Sequence, residues 1–144
     1  AQTRVLRSGK GGRLKSQILN DEEFPLYLYG PDGKVKAEFC DAAGTPILDQ
    51  PLGLNSNRAN LHTMFAVGGD RANANPQVAM MNVLFLREHN RLAGLLQRKH
   101  PDWDDDRLFE TARNILIVMF IKIVVEEYIN HINTSVFRFK AEPK

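Results

Sequence analysis

Between Pro76 and His100, the apolar residues Val78, Met81, Leu84, Phe85, Leu92, Leu95 and Leu96 recur at the spacing of one helical face. Asn75 can cap the free amides at the start of this run, Pro76 suits the first helical position, and Pro101 stops it. Asp102, Asp104, Asp105 and Asp106 then gather where a second helix begins, the end at which the dipole favours negative charge. Its apolar positions run through Leu108, Ala112, Ile115, Met119, Val124 and Tyr128, and the pattern ends near Asn133. A connection of about five residues makes the pair an antiparallel hairpin, so residues whose numbers sum to about 205 lie side by side.

That register sets a question of charge. Arg87 and Arg91 stand four apart, and Glu88 can reach Arg91 at a spacing of three. Opposite Arg87 run Arg113 to Val118 without an acid, so a buried Arg87 needs its counter-charge from elsewhere, which points to partner segments outside this sequence.

Residues 1–63 read differently from 64–144. Arg4, Arg7, Lys10, Arg13 and Lys15 precede any acid, around Gly9, Gly11 and Gly12, and read as a turn-rich, mostly exposed segment. Phe24 to Tyr29 and Val35 to Phe39 suit short strands about the turn Gly30-Pro31-Asp32-Gly33. Asp41 to Asn60 has neither period and reads as a long irregular loop, of the length that usually packs against something. The expected fold is mainly α: two long antiparallel helices, an irregular N-terminal segment and a short β-hairpin.

Composition narrows the classes. The chain has 144 residues, 43% apolar and 25% charged, as a globular chain does, and enough for about one domain. A net charge of +2 does not favour nucleic acid, and the basic start lacks the interleaved aromatics of a single-strand binder. Cys40, the one cysteine, has no internal partner for a disulfide. The most apolar run, Ile115 to Val125, is interrupted by Lys122 and falls short of the roughly 17–25 residues of a membrane span. It reads instead as a helix buried around most of its circumference. The chain opens on Ala1 rather than methionine, without a signal-peptide core, and so reads as a piece of something larger.

Phe65 to Pro76, with Gly68-Gly69-Asp70-Arg71-Ala72-Asn73-Ala74-Asn75 at its centre, is followed by Leu86-Arg87-Glu88-His89-Asn90-Arg91-Leu92-Ala93. His100-Pro101-Asp102-Trp103, Leu108 to Arg113 and Ile121 to Tyr128 continue the pattern. Together they resemble the animal heme peroxidase superfamily, most closely its cyclooxygenase and bacterial cyclooxygenase-like branch. The likeness covers residues 61–139 strongly and Leu6 to Leu26 more loosely. It implies that 1–144 is an internal portion of a heme peroxidase-like domain, with 1–63 irregular and 64–144 part of its helical core.

The resemblance also assigns roles. Arg71 stands where peroxidase members place the distal arginine that acts on bound hydrogen peroxide; cyclooxygenases generally carry an apolar residue there. A guanidinium so placed stabilises the charge that builds on the departing oxygen while keeping its own proton. Ala74 and Asn75 match positions of heme-linking side chains in myeloperoxidase-type members but can form neither the ester nor the sulfonium bond, which implies noncovalent heme b. The family's axial histidines match no residue here, and His62, His89, His100 and His131 fall at other positions, so no metal ligand is assigned. His89 reads as a packed structural histidine, and His100 as a cation at a helix C-terminus. Tyr128 matches a channel-side tyrosine that would touch a fatty acid, whereas Ser135 replaces a tyrosine near the carboxylate end of that channel.

The expected function is that of a fragment of a heme-dependent peroxidase or fatty-acid dioxygenase, acting on hydrogen peroxide or a lipid hydroperoxide and inactive alone. Its partners would be the remaining segments of the same protein. The alternative is a noncatalytic helical scaffold or interaction module on the same fold.

Overall fold

A computed structural model describes residues 2–50, 58–134 and 136–142. After a short opening helix, α1 (Gln2–Leu6), its main body is a helical hairpin, α2 (Pro76–Lys99) packed on α3 (Asp105–Lys122). The Asn75 side chain accepts the Val78 N–H at 2.9 Å, Asp104 accepts that of Arg107 at 2.7 Å, and His100 closes α2 through its backbone N–H to Leu96. Phe85 and Phe120 meet edge to face with ring centroids 5.4 Å apart, which is the register expected of the hairpin. The His100 ring stacks on Trp103 at 4.1 Å, so it packs within the connection as well as ending the helix.

The second helix departs from one uniform run to residue 133. Beyond α3 the turns widen into a π-helical stretch, Ile123–Ile129, and close in α4 (Asn130–Ile132). Ile123, Val124 and Val125 are consecutive β-branched residues, which crowd an ordinary helical turn. Buried Asn130 then ties down the chain that follows, bonding Phe139 through both its N–H, at 2.8 Å, and its carbonyl, also at 2.8 Å.

The N-terminal part differs from expectation in three ways. The strands are β1 (Gln17–Leu19) and β2 (Glu22–Phe24), joined by Asn20 and Asp21, both at positive φ (50° and 64°). That two-residue turn suits asparagine and aspartate and matches strand twist. The turn at Gly30-Pro31-Asp32-Gly33 forms, but it carries only the isolated bridge Tyr29↔Val35, because the chain coils at Ala37–Phe39 to bury Phe39 completely. The expected long loop is in part a tight turn: Asp41 accepts the N–H groups of Ala43 and Thr45, and Leu48 returns to the core. Residues 51–57 of that loop lie outside the described part, and Arg58–Thr63 form a 3₁₀ helix. Leu28, Tyr29, Phe39, Leu48 and Ala66 make a small core of their own, walled by Leu6, Leu26 and Met64.

The basic opening segment, expected to be mostly exposed, is docked on the hairpin by the Arg87-Glu88-His89-Asn90-Arg91 run. His89, 2% exposed, donates from Nε2 to the Gly12 carbonyl at 2.9 Å, and Phe109 lies 5.0 Å from its ring. Asn90 accepts the Leu14 N–H at 2.8 Å and donates to the Leu14 carbonyl and to Glu23. Arg7 pairs with Asp105 and Asp106, each at 2.6 Å, and its guanidinium lies over Phe109. Arg87 finds its counter-charge in Glu22, bonds the Glu23 carbonyl at 2.6 Å and covers the Phe24 ring. Its partner thus comes from β2 of the same chain, and the inference of an outside segment from Arg87 fails. Glu88 holds Arg91 through two bonds of 2.7 Å, as expected.

His89 gives this dock a pH dependence. Burial, with Arg7 nearby, holds its pKa below the ordinary histidine value. In the unfolded chain the imidazole binds a proton near pH 6.5, whereas in the fold it resists until lower pH. Stability should therefore be full above about pH 6.5 and fall on acidification towards the folded value, by at most about 1.4 kcal/mol per pH unit from this group. Urea unfolding of the complete protein against its His89→Gln variant tests this; equal acid slopes would remove the role.

Candidate functional site

The residues expected to carry chemistry lie at the end of the hairpin where α2 begins. Phe65 leaves an antiparallel bridge with Tyr27, and the chain runs through overlapping turns, Ala72 N–H to Gly69 and Ala74 N–H to Arg71, before Asn75 caps α2. Gly69 takes φ +97°, a backbone state open to glycine and strained for any other residue. Ala72 is buried, whereas Arg71, Ala74 and Asn75 are exposed.

Among the described residues no hydrogen bond or ion pair engages the Arg71 guanidinium, so all its donors face outward and are available. A Cβ added at Gly68 or Gly69 would meet nothing within 4 Å, so open space lies beside the arginine. Asn75 has its side-chain oxygen committed to the cap, leaving its amide NH₂ for any second role. An unpaired cation beside open space suits an anionic group, and neither Ala74 nor Asn75 carries a carboxylate or thioether that could link to one. Iron ligation is a separate matter. No group of three His, Cys, Asp or Glu residues suited to a metal occurs among the described residues. His89 is buried against Gly12 and Phe109, as expected of a structural histidine.

Tyr128 stands in the π-helical stretch and is 61% exposed. The antiparallel pairing of Phe85 with Phe120 puts the C-terminal end of α3 at the end of the hairpin where α2 begins; the π-helical stretch continues from there, in contact with α3 and α4 but, among the described residues, not with α2. An apolar groove of about 550 Å³ opens between the helices, lined by Val78, Met81, Phe85, Leu116, Ile117 and Phe120. Neither Arg71 nor Tyr128 lines it. Ser135 lies outside the described residues.

Two residues of the site escaped the sequence reading. Asn73 accepts the Phe65 N–H at 3.1 Å and donates to the Phe65 carbonyl at 2.9 Å. Asn82 donates to the Val78 carbonyl at 2.9 Å and, at 3.5 Å, to that of Ala72. The only available signal was residue type: asparagine carries the donor and acceptor of a peptide unit on a short stem.

Residues 1–142 match the family described as "Animal haem peroxidase". The match takes in the N-terminal segment as well as the helices. Prostaglandin G/H synthase 2 of Equus caballus is 36% identical over 139 residues, 96% of this chain and 20% of that protein. Prostaglandin G/H synthase 1 of Mus musculus is 34% identical over the same shares. Among solved structures, peroxidase A from Dictyostelium discoideum superposes with a TM-score of 0.68 at 29% identity, covering 97% of this chain and 23% of that one. The chain thus spans about a fifth of the length of the curated relatives it matches.

Proposed function

Because the chain belongs to the animal heme peroxidase family, we propose that it forms part of a heme-dependent peroxidase or fatty-acid dioxygenase and supplies the distal edge of the heme site. The observation that carries this reading is Arg71: an unengaged guanidinium on a clamped loop, beside open space. Ala74 and Asn75, exposed in the same loop, carry no linking side chain and leave heme b noncovalently held.

Bound heme supplies the redox chemistry by which a peroxide is reduced. The chain's own contribution is electrostatic. Arg71 donates hydrogen bonds to hydrogen peroxide or a lipid hydroperoxide and stabilises the negative charge on the oxygen that leaves as the O–O bond breaks. Because an arginine stays protonated, it holds the leaving oxygen without acting as the proton source. Tyr128, exposed in the π-helical stretch, lines the path of a fatty acid in the whole enzyme. The apolar face of α3 and the π-helical stretch, with Ile117, Phe120, Ile121 and Ile123 each more than 40% exposed, is surface that other segments of a longer protein cover. Alone, the chain lacks the family's axial histidines and is inactive.

A heme titration followed at the Soret band tests the assignment. This chain should bind heme without saturation, and the protein extended to the length of its relatives should give a sharp histidine-ligated spectrum. A saturable histidine-type spectrum from the short chain would overturn the missing-ligand reading. No defined spectrum from either would leave a noncatalytic scaffold.

A further inference from the structure

The segment that presents Arg71 has little intrinsic stiffness. It enters through Gly68 and Gly69, which lack side-chain neighbours, and runs through turns closed by single backbone bonds of 3.4 and 3.0 Å. What fixes it is Asn73, two residues beyond the arginine. One amide satisfies both polar groups of Phe65, as a neighbouring strand would. Phe65 is itself held from both sides: it bridges Tyr27, and its ring stacks with Tyr27 at 5.6 Å and Phe24 at 5.9 Å. Its neighbours Met64 and Ala66 are bonded to Leu28 and Leu26. On the other flank, Asn82 reaches Ala72 from the first turns of α2. The loop is therefore clamped at 72 and 73, immediately after the arginine, to two rigid bodies.

We propose that Asn73 is the positioning residue for Arg71: it sets where the guanidinium stands in the peroxide step without touching the peroxide. The inference rests on the distal role of Arg71 and adds the device that makes the role effective. A donor stabilises a developing charge only when held at the right place beforehand, and a displacement of about 1 Å costs up to about a hundredfold in rate. Truncation of Asn73 leaves the guanidinium in place chemically and removes its fixed position.

The test is a double-mutant cycle in the complete heme-loaded protein, reading the rate of the first heme spectral change after rapid mixing with hydrogen peroxide. Asn73→Ala should slow this step about ten- to a hundredfold, with the resting Soret spectrum close to wild type and the urea midpoint lowered by the loss of the two bonds to Phe65. Asn73→Asp, which keeps the acceptor for the Phe65 N–H and loses the donor, should fall between. In an Arg71→Ala background, Asn73→Ala should change the rate by less than about twofold, because nothing is left to position. An equal slowing in both backgrounds would make Asn73 merely structural, and an unchanged rate in the single variant would overturn the proposal outright. Should Asn73→Ala fail to load heme, the Asp variant carries the same cycle. An Arg71→Ala protein that keeps the wild-type rate would instead sink the distal assignment itself, a distinct result.

Discussion

Arg71→Ala in the complete heme-loaded protein should slow the peroxide-dependent step by about a hundred- to a thousandfold, the effect of removing one preorganised donor from a developing oxyanion. The geometry argues for an effect of this size. The guanidinium has no partner within the described chain, so its loss leaves no carboxylate unpaired, and its exposed position leaves no cavity. Stability and heme loading should therefore stay near wild type while the rate falls, which separates a chemical role from a structural one. Arg71→Lys should recover only part of the rate, since an ammonium keeps the charge but not the planar fork of donors. Rapid mixing with hydrogen peroxide, followed at the Soret band, measures all three proteins. A wild-type rate in the alanine variant would end the assignment, and a matching loss of heme would reassign Arg71 to cofactor binding.

The helical hairpin was legible because its information is local: Asn75-Pro76 and Asp104 mark starts, and the short connection sets the register that Phe85 and Phe120 obey. Its packed face was not: Val78, Met81, Leu84 and Leu95 of the expected stripe are exposed and α2 buries Val83, Leu86, His89, Asn90, Ala93 and Gly94 instead, while Ile115 to Ile123, expected to be buried around most of the helix, present exposed apolar side chains. The N-terminal half was not legible by the same route. Its strands are three residues long, too short to show alternation, and their turn uses Asn20 and Asp21 at positive φ where the Gly-Pro-Asp-Gly sequence offered a louder signal. Its docking on the hairpin is hidden for another reason. Arg7, Gly12 and Leu14 are held by Asp105, His89 and Asn90 across separations of 76 to 98 residues, and no window of sequence displays such pairs. The same distance effect hid Glu22 as the partner of Arg87.

The candidate site divides along that line too. Arg71, Ala74, Asn75 and Tyr128 came from a likeness of motifs, whereas periodicity alone marked Asn75 only as a cap, a role it does fill. The Arg-Glu-His-Asn-Arg run that announces the family turns out to be structural: its His, Asn and first Arg all reach back to residues 12–24. A motif can thus name a family through the contacts that build its scaffold, while the residue proposed for chemistry sits in a loop with no periodic signature.

Gly12→Ala should be the most damaging small substitution in this scaffold. The glycine has φ +68°, and a Cβ there would lie 2.6 Å from the Phe109 backbone nitrogen and 2.7 Å from the Leu108 carbonyl carbon. These are atoms of the first turns of α3 and cannot swing aside as a flexible side chain would. Backing away would stretch two bonds at once, the Gly12 N–H to Asp105 at 2.8 Å and the His89 Nε2–H to the Gly12 carbonyl at 2.9 Å. The left-handed backbone costs an L-residue about 1–2 kcal/mol, and overpacking adds about 1–3. The expected loss is therefore about 3 kcal/mol, enough to empty much of a typical stability margin. Gly9→Ala supplies the control: φ is +72° there but nothing lies within 4 Å, so only the backbone cost of about 1–2 kcal/mol applies. Urea unfolding of the two variants of the complete protein isolates the close approach of the N-terminal segment to α3. Equal losses would mean that the dock yields without strain, and that His89 and Asp105 do not lock it.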